Sequence, residues 1–233
     1  MTAPAAGRAG GPADGPQDGA ADLGLVHLLQ RGEPDAPVLL LLHGTGGDER
    51  DLLPLGRLLD PRATLLSPRG AVLEDGMPRF FRRLAEGVFD EDDVVRRSGD
   101  LAAFVAGAVE AYGLHGTPVV AVGFSNGANT AAATMLLHPD VLAAGVLLAA
   151  MPVLDARLPD PLPDLGGAPV LIGTGRVDPL APPPVAQRLA DTLTAAGARV
   201  RVEVHPGGHG LDRRQVTVAT AWLREALAEP PPA

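Results

Sequence analysis

Apolar positions along the chain fall into short unbroken runs separated by longer segments of helical period. Residues 37–42 (Pro-Val-Leu-Leu-Leu-Leu), 118–122 (Pro-Val-Val-Ala-Val), 144–149 and 169–172 carry no charged side chain and are bounded by turn residues, as strands buried on both faces of a sheet are. Residues 23–29, 63–66 and 200–204 predict three further strands. Between these runs, helices are predicted over about 49–59, 97–112, 126–137, 182–196 and 213–228, with Asp48 placed to cap the first and Gly113 ending the second. Repeated strand–helix alternation implies an α/β fold, a mostly parallel sheet with helices on both faces. One domain over residues 22–230 accommodates it, without internal repeats, a second domain or a large lid.

Two stretches break the rhythm. Residues 70–95 contain Met77-Pro-Arg-Phe-Phe-Arg-Arg83 and an acidic run at 89–93, with no clean strand period and three of the five phenylalanines. A long aromatic excursion between core elements points to function. Residues 152–167 form a loop rich in proline and aspartate. At the amino end, residues 1–21 read as a flexible Pro/Gly/Ala tail, disordered and lacking the apolar core of a signal peptide, so a cytoplasmic location is the default.

Composition narrows the chemistry. Aromatics are only 3% of the residues, so aliphatic side chains must fill the core. The absence of cysteine excludes disulfides, thiolate metal sites and cysteine nucleophiles. Every basic residue other than histidine is arginine; these are scattered, and the formal net charge is −9. Such a surface argues against nucleic acid and anionic membranes as partners. The apolar runs at 38–42 and 141–151 are too short to span a bilayer.

The sharpest motif is Gly123-Phe124-Ser125-Asn126-Gly127, directly behind a predicted strand and ahead of a predicted helix. With three serines and 29 glycines in 233 residues, a chance Gly-x-Ser-x-Gly match is expected only about once in twenty such chains. In this context it is a nucleophile elbow, a sharp turn that lifts a serine clear of its own backbone. Such a serine needs a base and a group to orient the base. Asp178 follows the strand at 170–172 and His209 follows the strand at 200–204, giving the chain order Ser…Asp…His. His209, between glycines, is preferred to His205 at the strand end; Asp178 is preferred to Asp155, Asp160 and Asp164 in their proline-broken loop. Oxyanion donors are expected at the backbone N–H of Asn126 and of Thr45, the latter in the glycine-rich loop His43-Gly-Thr-Gly-Gly-Asp48. That loop is not a phosphate-binding P-loop, which needs a lysine, and His43 is expected to pack beneath it.

Together with Leu42-His-Gly-Thr-Gly-Gly-Asp-Glu49, Ser67-Pro-Arg-Gly70, Met77-Pro-Arg-Phe-Phe-Arg-Arg83, Gly175-Arg-Val-Asp178 and Gly207-Gly-His-Gly210, the elbow makes the chain resemble the α/β-hydrolases of the phospholipase/carboxylesterase group. Within this group it is similar to the lidless branch of acyl-protein thioesterases and bacterial carboxylesterases, above all the bacterial subgroup associated with hydroquinone or aromatic-compound stress. The resemblance implies nucleophile Ser125, acid Asp178, base His209, and oxyanion donors Thr45 and Asn126. The tail before Asp22 lies outside it, and position 180 or 181 lacks the β-branched residue the group leads one to expect.

The expected activity is hydrolysis of small soluble carboxylic esters through an acyl-enzyme, without metal or cofactor. Met77, Phe80 and Phe81 are expected to wall an acyl or aromatic pocket. Arg79, Arg82 or Arg83 could meet a substrate carboxylate, although a solvated arginine run is the commoner meaning of such a cluster. A thioesterase or dienelactone-type hydrolase is the rival within enzymes. A non-catalytic binding module on the same fold would announce itself by a lost triad residue, and all three are present. An apolar edge would permit a homodimer, but no residue locates one.

Overall fold

The computed structural model describes residues 17–18 and 21–228. In chain order the elements are β1 (Gln17–Asp18), β2 (His27–Gln30), β3 (Val38–Leu42), α1 (Leu53–Leu59), β4 (Thr64–Pro68), β5 (Val72–Glu74), β6 (Met77–Arg79), β7 (Arg83–Ala85) and β8 (Val88–Phe89). There follow α2 (Glu91–Tyr112), β9 (Val119–Phe124), α3 (Asn126–Leu137), β10 (Ala144–Leu148), β11 (Pro169–Gly175), α4 (Pro183–Ala195), β12 (Arg199–His205) and α5 (Arg213–Ala228). Eight strands form one sheet in the order β1-β2-β4-β3-β9-β10-β11-β12. Neighbours from β4 to β12 are parallel, while β2 pairs antiparallel with β4 and with β1. The expected tail over residues 1–21 lies outside the described residues, except at Ala21 and at Gln17–Asp18, which pair with Leu29 and Leu28.

The continuous apolar runs are explained by burial on both faces. Along β3, Val38, Leu40 and Leu42 join the core shared with α2, α3 and α4. Leu39 and Leu41 face the other way, into a core completed by Leu53, Leu55 and Leu59 of α1 and by Ala219, Trp222 and Leu223 of α5. The same period of two divides Ala121 from Val120 and Val122 on β9. Helix α3 is buried from Asn126 through Leu136, which explains why its apolar residues mark no single face.

Helix starts differ from the pattern where polar groups intervene. Helix α1 begins at Leu53 rather than 49, because Asp48 accepts the Arg50 N–H at 2.7 Å and caps a turn instead of the helix. Helix α2 begins at Glu91 rather than 97. Asp90 accepts the Asp93 N–H at 3.1 Å, and Glu91, Asp92 and Asp93 occupy the first turn, where carboxylates meet the positive end of the helix. The 70–95 excursion contains two small antiparallel hairpins, β5–β6 and β7–β8. Among the described residues, no helix is long and apolar enough to cross a membrane. Because β3, β9, β11 and β12 are parallel, the loops after them open on one edge of the sheet.

Candidate active site

At the end of β9 the chain turns sharply through Ser125, whose φ of 50° lies in the left-handed region although it is not glycine. Its N–H donates to the Leu148 carbonyl at 2.8 Å and its carbonyl accepts the Asn129 N–H at 2.9 Å, fixing the turn between sheet and helix. The strained angle falls on the serine, and the flanking glycines answer a need for space. A Cβ on Gly127 would sit 2.0 Å from the Leu42 carbonyl oxygen, and one on Gly123 would sit 2.6 Å from the Ala128 Cα.

The loops bring the polar residues together. His209 Nδ1–H donates to Asp178 Oδ2 at 2.8 Å, and Ser125 Oγ lies 2.9 Å from His209 Nε2. With Nδ1 carrying the proton toward a carboxylate, Nε2 is left to accept from the serine hydroxyl. Asp178 is fully buried as a side chain, and its other oxygen accepts the N–H groups of Leu180 and Ala181 at 2.8 and 2.9 Å. Burial pushes this carboxyl up, but the Ala181 and Leu180 N–H groups and the His209 ring outweigh it and hold the pKa below the usual aspartate value. Gly175 allows this approach, since a Cβ there would meet the Gly208 carbonyl oxygen at 2.3 Å. His205, the rival histidine, turns instead toward the Gly207 N–H and Asp212, each 3.2 Å from its Nδ1.

Thr45 stands exposed at the tip of the loop after β3. Gly46 N–H donates to the Pro78 carbonyl at 2.9 Å and Gly47 N–H to the Gly44 carbonyl at 3.1 Å. Beneath the loop His43 is buried, its Nδ1–H donating to the Gly44 carbonyl at 2.7 Å and its Nε2 accepting the Gly70 N–H at 3.0 Å. Burial pushes its pKa down, so it packs as a neutral ring. Glu49 braces the same loop through a two-point pair with Arg69, at 2.5 and 2.8 Å. Asn126 opens α3, which leaves its N–H without a partner inside the helix.

A cavity of about 290 Å³ holds Ser125, His209, Thr45 and Asn126, with Arg79, Phe89, Asn129, Met151 and Leu180 also on its wall. The expected pocket residues Met77, Phe80 and Phe81 do not line it. Phe80 is buried against the His43 ring, centroids 4.7 Å apart, and Phe81 is fully buried with its ring 5.6 Å from Phe89. Met77 lies on β6 beside Gly46 and is 39% exposed. The physical reason is hairpin geometry: the chain folds back at residues 75–76 and turns the paired phenylalanines into the core. Phe89 takes the wall position, and the aromatic content of the excursion gave no means to tell it from its neighbours. Asn129, which no sequence motif singles out, also lines the cavity. Its Oδ1 accepts the Met151 N–H at 2.8 Å, and its signal is a second asparagine in a helix otherwise made of glycine, alanine, threonine, methionine and leucine. A larger cavity of about 950 Å³, lined by Val105, Val109, Pro118 and Val119 among others, contains none of Ser125, His209 and Asp178. Among the described residues, no group of three or more histidine, aspartate or glutamate side chains is arranged to hold a metal ion.

Comparison with known proteins agrees with this architecture. Residues 26–227 match the Phospholipase/Carboxylesterase family. The chain is 46% identical over 202 residues to the protein MhqD of Bacillus subtilis (strain 168), covering 86% of this chain and 98% of that one. It is similar in structure to the Bacillus cereus carboxylesterase, with a TM-score of 0.81, 42% identity, and coverage of 85% of this chain and 92% of that one. A carboxylesterase from Mesorhizobium loti gives a TM-score of 0.83 at 32% identity, covering 91% and 99% of the two chains. The chain therefore belongs to the phospholipase/carboxylesterase family of α/β-hydrolases.

Proposed function

We propose that the protein is a serine carboxylesterase that hydrolyses small carboxylic esters through an acyl-enzyme intermediate. The observation that carries this reading is the unbroken hydrogen-bond chain Asp178–His209–Ser125, at 2.8 and 2.9 Å, opening into a cavity. His209 Nε2 takes the hydroxyl proton as Ser125 Oγ attacks the ester carbonyl carbon. The carbonyl oxygen becomes an alkoxide, held by the N–H groups of Thr45 and Asn126. Collapse of that intermediate breaks the bond to the alcohol, which leaves with the proton His209 had taken. Water then attacks the acyl-enzyme, gives its proton to His209, and releases the acid as the proton returns to Ser125. Asp178 stays ionised throughout, fixing the imidazole orientation and stabilising the imidazolium. Substrate, water and these side chains balance every step.

A cavity of about 290 Å³ favours small esters over long-chain lipids. Pre-steady-state kinetics with p-nitrophenyl acetate and butyrate test the proposal: a burst approaching one equivalent of p-nitrophenol, absent in Ser125→Ala, is the expected result. Steady turnover that survives Ser125→Ala would refute it.

A further inference from the structure

Arg79 differs from the arginines around it. Arg82 reaches outward to Asp90 with its side chain 61% exposed, and Arg83 donates its Nε–H to Glu74 at 2.6 Å. The Arg79 side chain is only 4% exposed. Its Nε–H donates to the Phe81 carbonyl at 3.2 Å and lies 3.3 Å from Glu74 Oε2, with the guanidinium carbon 5.9 Å from the Phe81 ring centre. Glu74 thus answers two guanidinium groups with a single carboxylate. Neither terminal nitrogen of Arg79 donates a hydrogen bond to a protein acceptor among the described residues. Arg83 also reaches the cavity wall, but its side chain is one-third exposed; Glu86, the acidic residue on that wall, is exposed and forms no ion pair with either arginine among the described residues.

The position of Arg79 is fixed by the site itself. The Pro78 carbonyl before it accepts the Gly46 N–H at 2.9 Å, and the Phe80 N–H after it donates to Asn126 Oδ1 at 2.8 Å. Arg79 is therefore strung between the loop that carries Thr45 and the helix that follows Ser125, and it shares the cavity wall with both. A buried, incompletely neutralised guanidinium is costly unless an anion meets it, and its planar fork matches a carboxylate.

We propose that Arg79 is a specificity-determining residue that receives a carboxylate on the substrate, so that the favoured substrates are esters bearing a free carboxylate. The assignment rests on the esterase reading above. The carboxylate can belong to the acyl part or to the alcohol part, and two pairs of substrates separate these sources. Monoethyl adipate is compared with ethyl hexanoate, and 3-carboxyphenyl butyrate with 3-carbamoylphenyl butyrate. The expected result is a kcat/KM ratio favouring the charged ester by about tenfold to hundredfold in one pair, as a charge-assisted hydrogen bond provides. That ratio should fall toward one in Arg79→Met and recover in part in Arg79→Lys. Each ratio is internal to one preparation, so loss of folded protein cancels. If Arg79→Met does not fold, protection of Ser125 from a fluorophosphonate by adipate but not by adipamide in the wild-type chain is the expected substitute. Turnover of the neutral esters with no preference in either pair, a ratio unchanged in Arg79→Met, or equal protection by adipate and adipamide would overturn the Arg79 assignment and leave the esterase reading standing. No turnover of any ester and no labelling would overturn both.

Discussion

The side-chain carbonyl of Asn126 accepts the Phe80 N–H at 2.8 Å, joining the residue after the elbow serine to the excursion between β4 and α2. The elbow and the cavity wall are thereby one mechanical unit. Asn126→Ala would leave the Phe80 N–H unpaired in a buried place, which costs about 1–3 kcal/mol. Thermal unfolding should show the loss, and kcat for p-nitrophenyl butyrate should fall with it as the Thr45 loop and Arg79 lose their register.

Asp178→Asn should keep the fold, since the new side-chain oxygen can still accept from Leu180 and Ala181. It should nevertheless lower kcat by a factor on the order of 10⁴, because an amide allows the wrong imidazole tautomer. Ester turnover set beside an unchanged circular dichroism spectrum measures this.

Asp178, Glu49 and Glu91 all have carboxyl pKa values held below normal. For Asp178 and Glu91, burial pushes up but backbone N–H donors outweigh it; for Glu49, the Arg69 hydrogen bond leads. A depressed folded pKa gives stability that is present above the unfolded value, near pH 4, and lost as pH falls through the folded one. The melting temperature should therefore hold at neutral pH and drop below about pH 4. Glu91→Gln, which weakens the anchor that accepts the N–H groups of Asp155, Ala156 and Arg157, should flatten that acid limb.

Phe81 and Phe89 should separate stability from selectivity. Phe81 is fully buried, so Phe81→Ala should cost about 3–5 kcal/mol and leave the acyl-chain preference where it was. Phe89 lines the cavity, so Phe89→Ala should move the preference toward longer acyl chains. A series of p-nitrophenyl esters, read together with the melting temperatures of both variants, checks the pair.

How far the sequence could be read follows from what each signal depends on. The parallel strands β3, β9 and β10 are legible because two-sided burial writes an uninterrupted apolar run. Ser125 and Asp178 are legible because each follows such a run within a few residues, and His209 because it follows the alternating strand β12; parallel topology then brings the three loops to one edge. The start of α2 was hidden because its first turn is held by carboxylates at the helix end rather than by apolar period. The cavity wall was hidden for a different reason. Phe80, Phe81 and Phe89 have the same chemistry, and only the β5–β6 and β7–β8 pairing decides which ring faces the core. The arginine run shows the same limit, since Arg79 and Arg82 are indistinguishable until hairpin geometry buries one and exposes the other.

Intact-mass spectrometry after fluorophosphonate treatment, followed by peptide mapping, tests the nucleophile most directly. The expected result is one adduct per chain, located on Ser125, slowed in Asp178→Asn and absent in Ser125→Ala. An adduct on another residue, or ester turnover persisting after Ser125 is fully labelled, would contradict the serine mechanism.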